Sequence, residues 1–140
     1  METACAMVRQ YGPLAGRILL ALIFLLSGYG KIGAFSKVAA GMAAKGVPLA
    51  EFALVITIAL EIAGGLMLVF GWKARWAATA LLLWLIPVTL LFHNFWAADP
   101  AQHQNQLNHF MKNLCIMGGM LYVMAFGSGP LSVDSRDRAP

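Results

Sequence analysis

The sequence predicts an all-α membrane protein built as a bundle of four transmembrane helices. Three observations support this prediction: 60% of the 140 residues are hydrophobic, only 11% are charged, and four apolar segments are long enough to cross a bilayer. A soluble domain carries about 25% charged residues, whereas a membrane span needs about 20 mainly apolar residues. We therefore expect one membrane domain over residues 1–140, in contact with lipid.

The predicted spans cover about residues 13–31, 48–70, 74–92 and 107–126. Pro48 suits the first turn of a helix, where no intrahelical donor is lost. Gly71 and Gly127 follow the second and fourth spans and are typical helix stops. The connection at residues 71–73 is so short that the second and third helices should form an antiparallel hairpin. Residues 128–140 form a polar C-terminal tail, which we expect to lie outside the bundle.

The distribution of basic residues predicts the orientation of the bundle. Four spans place both termini on one side of the membrane. That side would carry Arg9, Arg17, Lys73, Arg75, Arg136 and Arg138, and the other side Lys31, Lys37, Lys45 and Lys112. Because cytoplasmic loops are enriched in Lys and Arg, this bias predicts that both termini are cytoplasmic. The net charge is +4, but the cations are spread singly between apolar runs, so no nucleic-acid partner is expected.

Glu61 is the most informative residue because it interrupts the second apolar span. A carboxylate at bilayer depth is costly, and it is usually paired, protonated or functional. On a helix, Thr57, Glu61, Gly64, Gly65 and Leu68 share one face, and we expect that face to point into the bundle.

A second group of polar residues lies around the loop between the third and fourth spans. Gln106, His109, Lys112 and Asn113 follow a helical spacing, while His93 and Asn94 end the third span and Lys31 ends the first. The hypothesis is that these residues converge on a polar pocket below the outer surface, with Glu61 at its floor. A cationic rim and a buried acid would suit an anionic or quinone-like ligand, or a proton path. The alternative is a structural network in which Glu61 pairs with Lys112, Asn113 or Arg17.

Metal and thiol chemistry find little support in the sequence. The separations among His93, His103 and His109 match no compact zinc pattern, so no metal site is predicted. Cys5 and Cys115 do not form a CxxC motif, and much of the bilayer should separate them. No nucleophile stands in a recognisable catalytic arrangement, and whether the protein is an enzyme stays open.

The chain resembles the DoxX family of small bacterial membrane proteins over nearly all of residues 16–134. The matching pieces are RILL at 17–20, SGYGK at 27–31, EIAGG at 61–65, GWKAR at 71–75, FHNFW at 92–96, KNL at 112–114 and GSGPLSVD at 127–134. The resemblance implies a four-helix protein of the bacterial inner membrane. Some members resemble subunits of quinone-linked sulfur oxidoreductases, and others are associated with redox-stress complexes containing a superoxide dismutase and a sulfurtransferase. The fold also resembles the core of vitamin K epoxide reductases, whose redox cysteine pair is missing here.

The leading interpretation is a small subunit or anchor of a membrane redox complex, with a quinone as its ligand and other redox subunits as partners. The candidate ligand-binding or polar-network residues are Arg17, Lys31, Glu61, His93, Asn94, His109, Lys112 and Asn113. Two alternatives remain. One is a non-catalytic scaffold or assembly protein. The other is a small-solute or proton transporter, which would require a homo-oligomer because four helices form a small unit.

Overall fold

The computed structural model describes residues 1–136, and this part of the chain is helical without β-strands. Its six α-helices are α1 (Glu2–Gly33), α2 (Phe35–Ala44), α3 (Ala50–Phe70), α4 (Ala74–Phe92), α5 (Pro100–Phe126) and α6 (Val133–Arg136), with a short 3-10 turn at Phe95–Ala97. The predicted all-α class is confirmed. Arg138 and the last part of the predicted tail lie outside the described residues.

Three helices, α1, α3 and α4, are long and apolar enough to cross a membrane. The second and third predicted spans coincide with α3 and α4 to within two residues, whereas α1 is longer than the first predicted span and begins at Glu2, with Pro13 inside the helix. Helix α5 runs antiparallel to α4, yet its first half is rich in Gln, Asn and His. Its crossing of the membrane therefore stays a prediction.

The bundle consists of two helix pairs, α1 with α3 and α4 with α5. At the end that contains the α3–α4 connection, here called the hairpin end, these pairs meet in a core with many small residues. The core includes Ala21, Leu68, Ala74, Ala77, Ala78, Leu81 and Met120. A Cβ atom on Gly64 would lie 2.9 Å from Cγ of the fully buried Leu81, so only glycine permits this approach of α3 to α4.

The predicted inward face of α3 is confirmed. Its five residues, Thr57, Glu61, Gly64, Gly65 and Leu68, are all buried. Glu61 therefore faces other helices and not lipid, as expected for a charged group within a span.

The C-terminal segment packs against the hairpin end, so the expectation that it lies outside the bundle was wrong for its described part. Ser128 and Ser132 are buried. Asp134 accepts hydrogen bonds from the backbone N–H groups of Lys73 and Ala74, at 2.7 and 3.1 Å. The first amides of a helix lack intrahelical acceptors, and the α4 N-cap residue makes no side-chain cap bond of its own. This unsatisfied helix end explains why the polar tail folds back.

At the opposite end, here called the cavity end, the two helix pairs separate. The sequence predicted no helix between the first two spans, but α2 forms there and folds over this end. Ala39 and Met42 of α2 pack with Leu54 of α3. Helix α2 thus becomes part of the wall around the space that the separated pairs leave.

Candidate functional site: an internal cavity with a polar floor and rim

A cavity of about 520 Å³ lies between the two helix pairs at the cavity end. Its walls are mainly apolar and come from α1 to α5, including Ile23, Phe24, Val38, Met42, Leu85, Val88, Leu91 and Ile116. Small-molecule sites are usually clefts of about 300–1,000 Å³ with apolar walls and a few polar groups. The volume and lining of this cavity meet that description.

The floor of the cavity carries an ion pair between Lys31 of α1 and Glu61 of α3. Lys31 Nζ lies 2.8 Å from both carboxylate oxygens, and it also donates to Ser27 Oγ one helical turn earlier on α1. The side chains are 23% and 10% exposed, so the pair is largely shielded within the protein. Two opposite charges at this distance satisfy each other, which explains how Glu61 is tolerated within the bundle.

The partner of Glu61 differs from the three that the alternative interpretation named. Arg17 lies at the hairpin end, is 1% exposed and donates hydrogen bonds to the carbonyls of Leu68 and Leu131. Arg17 therefore ties α3 and the C-terminal segment to α1 and does not line the cavity. The last carbonyls of α3 lack intrahelical N–H donors, and the buried guanidinium of Arg17 supplies one to Leu68.

The rim of the cavity is formed by His93, His109 and Lys112. The two imidazole rings stack with centroids 5.0 Å apart and planes 20° from parallel. His93 Nδ1 lies 3.1 Å from Gln106 Oε1, and His109 Nδ1 lies 3.1 Å from Lys112 Nζ. This contact between the end of α4 and α5 brings His93 together with polar groups that lie 13 to 19 residues later in the sequence.

Below the rim, Asn113 joins α5 to α4. Its amide donates to Thr89 Oγ1 at 2.9 Å, and Thr89 Oγ1 donates to the Leu85 carbonyl at 2.6 Å. Asn113 also lines the cavity, whereas Asn94 lies in the connection after α4 and does not. The cavity therefore gathers six of the sequence candidates, namely Lys31, Glu61, His93, His109, Lys112 and Asn113. Whether they bind a ligand stays a prediction.

Three further polar side chains line the cavity without having been named as candidates. They are Ser27, Thr57 and Trp84. Thr57 donates to the Ala53 carbonyl, and Ser27 bridges to the ion pair. Trp84 Nε1 is buried and has no hydrogen-bond partner within residues 1–136. The contact of Ser27 with Lys31 could have been predicted from the sequence, because residues four positions apart are neighbours on one face of a helix.

Taken together, the three long apolar helices of the described residues define an integral, multi-pass helical membrane protein. A family profile described as DoxX matches residues 12–94. Inner membrane protein YqjF of Escherichia coli is 38% identical over 128 residues, which cover 91% of this chain and 92% of that protein. This protein therefore belongs to the DoxX family, and like YqjF it is an inner-membrane protein.

Two more relatives extend the similarity. Inner membrane protein YphA of Escherichia coli is 29% identical over 88% of both chains. The Surfeit locus protein 4 homolog of Schizosaccharomyces pombe is 28% identical over 93% of this chain but only 39% of its own length. No solved structure shows a significant match to this chain.

Proposed function

We propose that this protein is a small membrane subunit of a redox complex and binds a quinone-like ligand in the cavity. The observation that carries the proposal is the combination of apolar walls with a polar floor and rim in one space of about 520 Å³. A quinone has an apolar ring and chain together with carbonyl oxygens that accept hydrogen bonds. The cavity offers matching surfaces for each of these parts.

The charges around the cavity favour a ligand whose headgroup carries electron-rich oxygen atoms. Lys31 and Glu61 neutralise each other across 2.8 Å. Lys112 contacts His109 and forms no salt bridge with an acid in the described residues 1–136. The rim therefore carries a net positive charge, which favours carbonyl or phenolic oxygens over a cationic ligand.

We assign the role of a subunit because the described residues provide no dithiol couple for electron transfer. Its two cysteines, Cys5 and Cys115, are free, exposed and on different helices, so they do not form a dithiol couple. A partner subunit would then supply the electrons, and this protein would hold the quinone within the membrane. The resemblance to subunits of quinone-linked oxidoreductases agrees with this division of labour.

The proposal is tested by purifying the protein in mild detergent, extracting it with organic solvent and analysing the extract by mass spectrometry. We expect a quinone in stoichiometric amount. Val88→Phe should fill part of the cavity and reduce retention, because Val88 belongs to its wall. Leu83→Phe on the same helix is the matched control, since Leu83 is 61% exposed and lies outside the cavity. A well-folded protein that neither retains quinone nor binds an added short-chain benzoquinone would contradict the proposal.

Proton transfer is a second candidate function, and the position of the Lys31–Glu61 pair favours it. Glu61 lies near the middle of α3, where ionisable residues often mark proton or ion pathways. Purified protein in vesicles containing a pH-sensitive dye would show a proton flux that Glu61→Gln abolishes. Vesicles without any flux above the protein-free background would remove this candidate.

A further inference from the structure

The two stacked histidines at the cavity rim are held by partners of opposite chemistry. The partner of His109 Nδ1 is the ammonium group of Lys112, at 3.1 Å. The partner of His93 Nδ1 is the amide oxygen of Gln106, also at 3.1 Å. An ammonium group only donates hydrogen bonds, whereas an amide oxygen only accepts them.

These partners fix different tautomers of the two neutral rings. His109 Nδ1 accepts from Lys112, so the proton of His109 lies on Nε2. His93 Nδ1 donates to Gln106, so His93 Nε2 has a free lone pair. The hydrogen bond made by one ring nitrogen commonly decides which state the other adopts. The stacked pair therefore presents one donor and one acceptor.

We propose that this donor–acceptor pair recognises a hydroxylated aromatic ring, so that the site prefers a quinol to the corresponding quinone. His93 Nε2 accepts a hydrogen bond from a ligand hydroxyl group, and His109 Nε2–H donates to a ligand oxygen. Both histidines line the cavity, and neither Nε2 atom has a hydrogen-bond partner within residues 1–136. This inference rests on the proposed quinone site and specifies the form of the ligand that it selects.

The preference follows from the hydrogen-bonding capacity of the ligands. A quinone carbonyl only accepts, so it can satisfy His109 but leaves the lone pair of His93 Nε2 without a donor. A quinol hydroxyl both donates and accepts and can satisfy both rings. One net hydrogen bond corresponds to about a 3- to 10-fold difference in affinity. A dimethyl ether of the quinol keeps the ring but loses the donor, and it should bind like the quinone.

The tautomers are tested first, by ¹⁵N NMR of the full-length protein labelled at histidine. His93 should carry its proton on Nδ1 and His109 on Nε2. Gln106→Leu removes the acceptor and should move part of the His93 population to the Nε2–H form, while leaving His109 unchanged. A His93 ring protonated on Nε2 in the unmodified protein would overturn the proposal.

Ligand selection is then measured with decylhydroquinone and its dimethyl ether under anaerobic conditions in lipid nanodiscs. The unmodified protein should bind the hydroquinone about 3- to 10-fold more tightly. His93→Phe keeps an aromatic ring in the stack and should remove that preference. His103→Phe is the matched control, because His103 is exposed on α5 and packs on Phe95 outside the cavity.

The outcomes separate this inference from the proposed function. If the ether and the hydroquinone bind equally well to the unmodified protein, the hydroxyl preference is wrong but the quinone site stands. A preference that survives in His93→Phe also contradicts the role of His93. If neither ligand binds but an added short-chain benzoquinone does, the quinol preference is wrong and the quinone site stands. If none of the three binds, both the quinone site and its selectivity are wrong.

Discussion

At the scale of single residues, the sequence showed which side chain needed a partner but did not identify that partner. A carboxylate in an apolar span indicated an internal position for Glu61. Its partner depended on the rotation of α1 against α3, which residue spacing alone does not fix. The flexible side chain of Lys31 lets its ammonium group reach Glu61 across the helix interface, with Ser27 one turn away. Arg17 was a candidate for the same reason, but its position near the other end of α3 places it against the Leu68 carbonyl.

The ion pair leads to a prediction about stability. Glu61→Gln should lower the free energy of unfolding, because it leaves the Lys31 charge without its counter-ion. We expect about 2 kcal/mol, less than the roughly 3–5 kcal/mol for a fully buried pair, because the Lys31 side chain is 23% exposed. Replacing both residues, as in Lys31→Met/Glu61→Leu, should be less destabilising than the single change. Thermal unfolding in detergent, followed by tryptophan fluorescence, would compare the three proteins.

Glu51→Gln provides the control for removal of a negative charge from α3. Glu51 lies in the first turn of the same helix and is exposed. It should change stability only slightly, because it makes no salt bridge within the described residues. A double variant that loses as much stability as Glu61→Gln, or more, would show that Lys31 and Glu61 do not act as a pair.

At the scale of helices, the sequence predicted helix ends correctly where an apolar run is followed by a residue that stops helices, such as glycine. Gly71 adopts a left-handed conformation with φ of 64°, and it ends α3 as predicted. Helix α1 continues on the N-terminal side of the predicted first span, because the more polar residues before Pro13 are also helical although they do not extend the apolar run. Helix α2 was missed because its short alanine-rich sequence lacks the length of a span. The docking of the C-terminal segment was missed because it depends on amides of a distant helix.

The contact between the C-terminal segment and α4 gives a prediction at this scale. Asp134→Ala removes the acceptor for the backbone N–H groups of Lys73 and Ala74. Loss of a helix cap costs about 1 kcal/mol, so we expect a lower midpoint of thermal unfolding. Protease sensitivity of the C-terminal segment should also rise, because its main polar contact with α4 is lost.

The matched control is Asp99→Ala at the start of α5. Asp99 occupies the N-cap position of that helix but makes no side-chain cap hydrogen bond. Its replacement should therefore leave the unfolding midpoint nearly unchanged. Equal effects of the two substitutions would indicate a general charge effect and would contradict a specific cap by Asp134.

At the scale of the whole molecule, the two ends of the bundle have different construction. The hairpin end is closed by alanine-rich packing, by Arg17 and by the C-terminal segment. The cavity end is open between the helix pairs and carries the polar floor and rim. The sequence predicted which residues would be polar near this end, but the cavity itself arises from the separation of helix pairs and the placement of α2. Those features depend on tertiary packing, which periodicity does not specify.

Because the two ends differ, the orientation of the bundle decides toward which side of the membrane the cavity rim lies. The excess of Lys and Arg near the termini and the hairpin predicts that the hairpin end faces the cytoplasm, so that the cavity rim lies toward the outer surface. Cys5 and Gln102 are both exposed, and the three apolar helices α1, α3 and α4 separate them along the chain. They should therefore lie on opposite sides of the membrane.

A membrane-impermeant maleimide measures this arrangement in intact bacterial cells whose outer membrane has been made permeable. In a Cys115→Ser background, Cys5 should react only after the inner membrane is opened. With Cys5→Ser and Cys115→Ser combined, Gln102→Cys should react in intact cells. Arg136→Cys in that double background also tests α5, because it should behave like Cys5 if α5 crosses the membrane. Labelling of Arg136→Cys together with Gln102→Cys in intact cells would mean that α5 does not cross and that the protein has three spans.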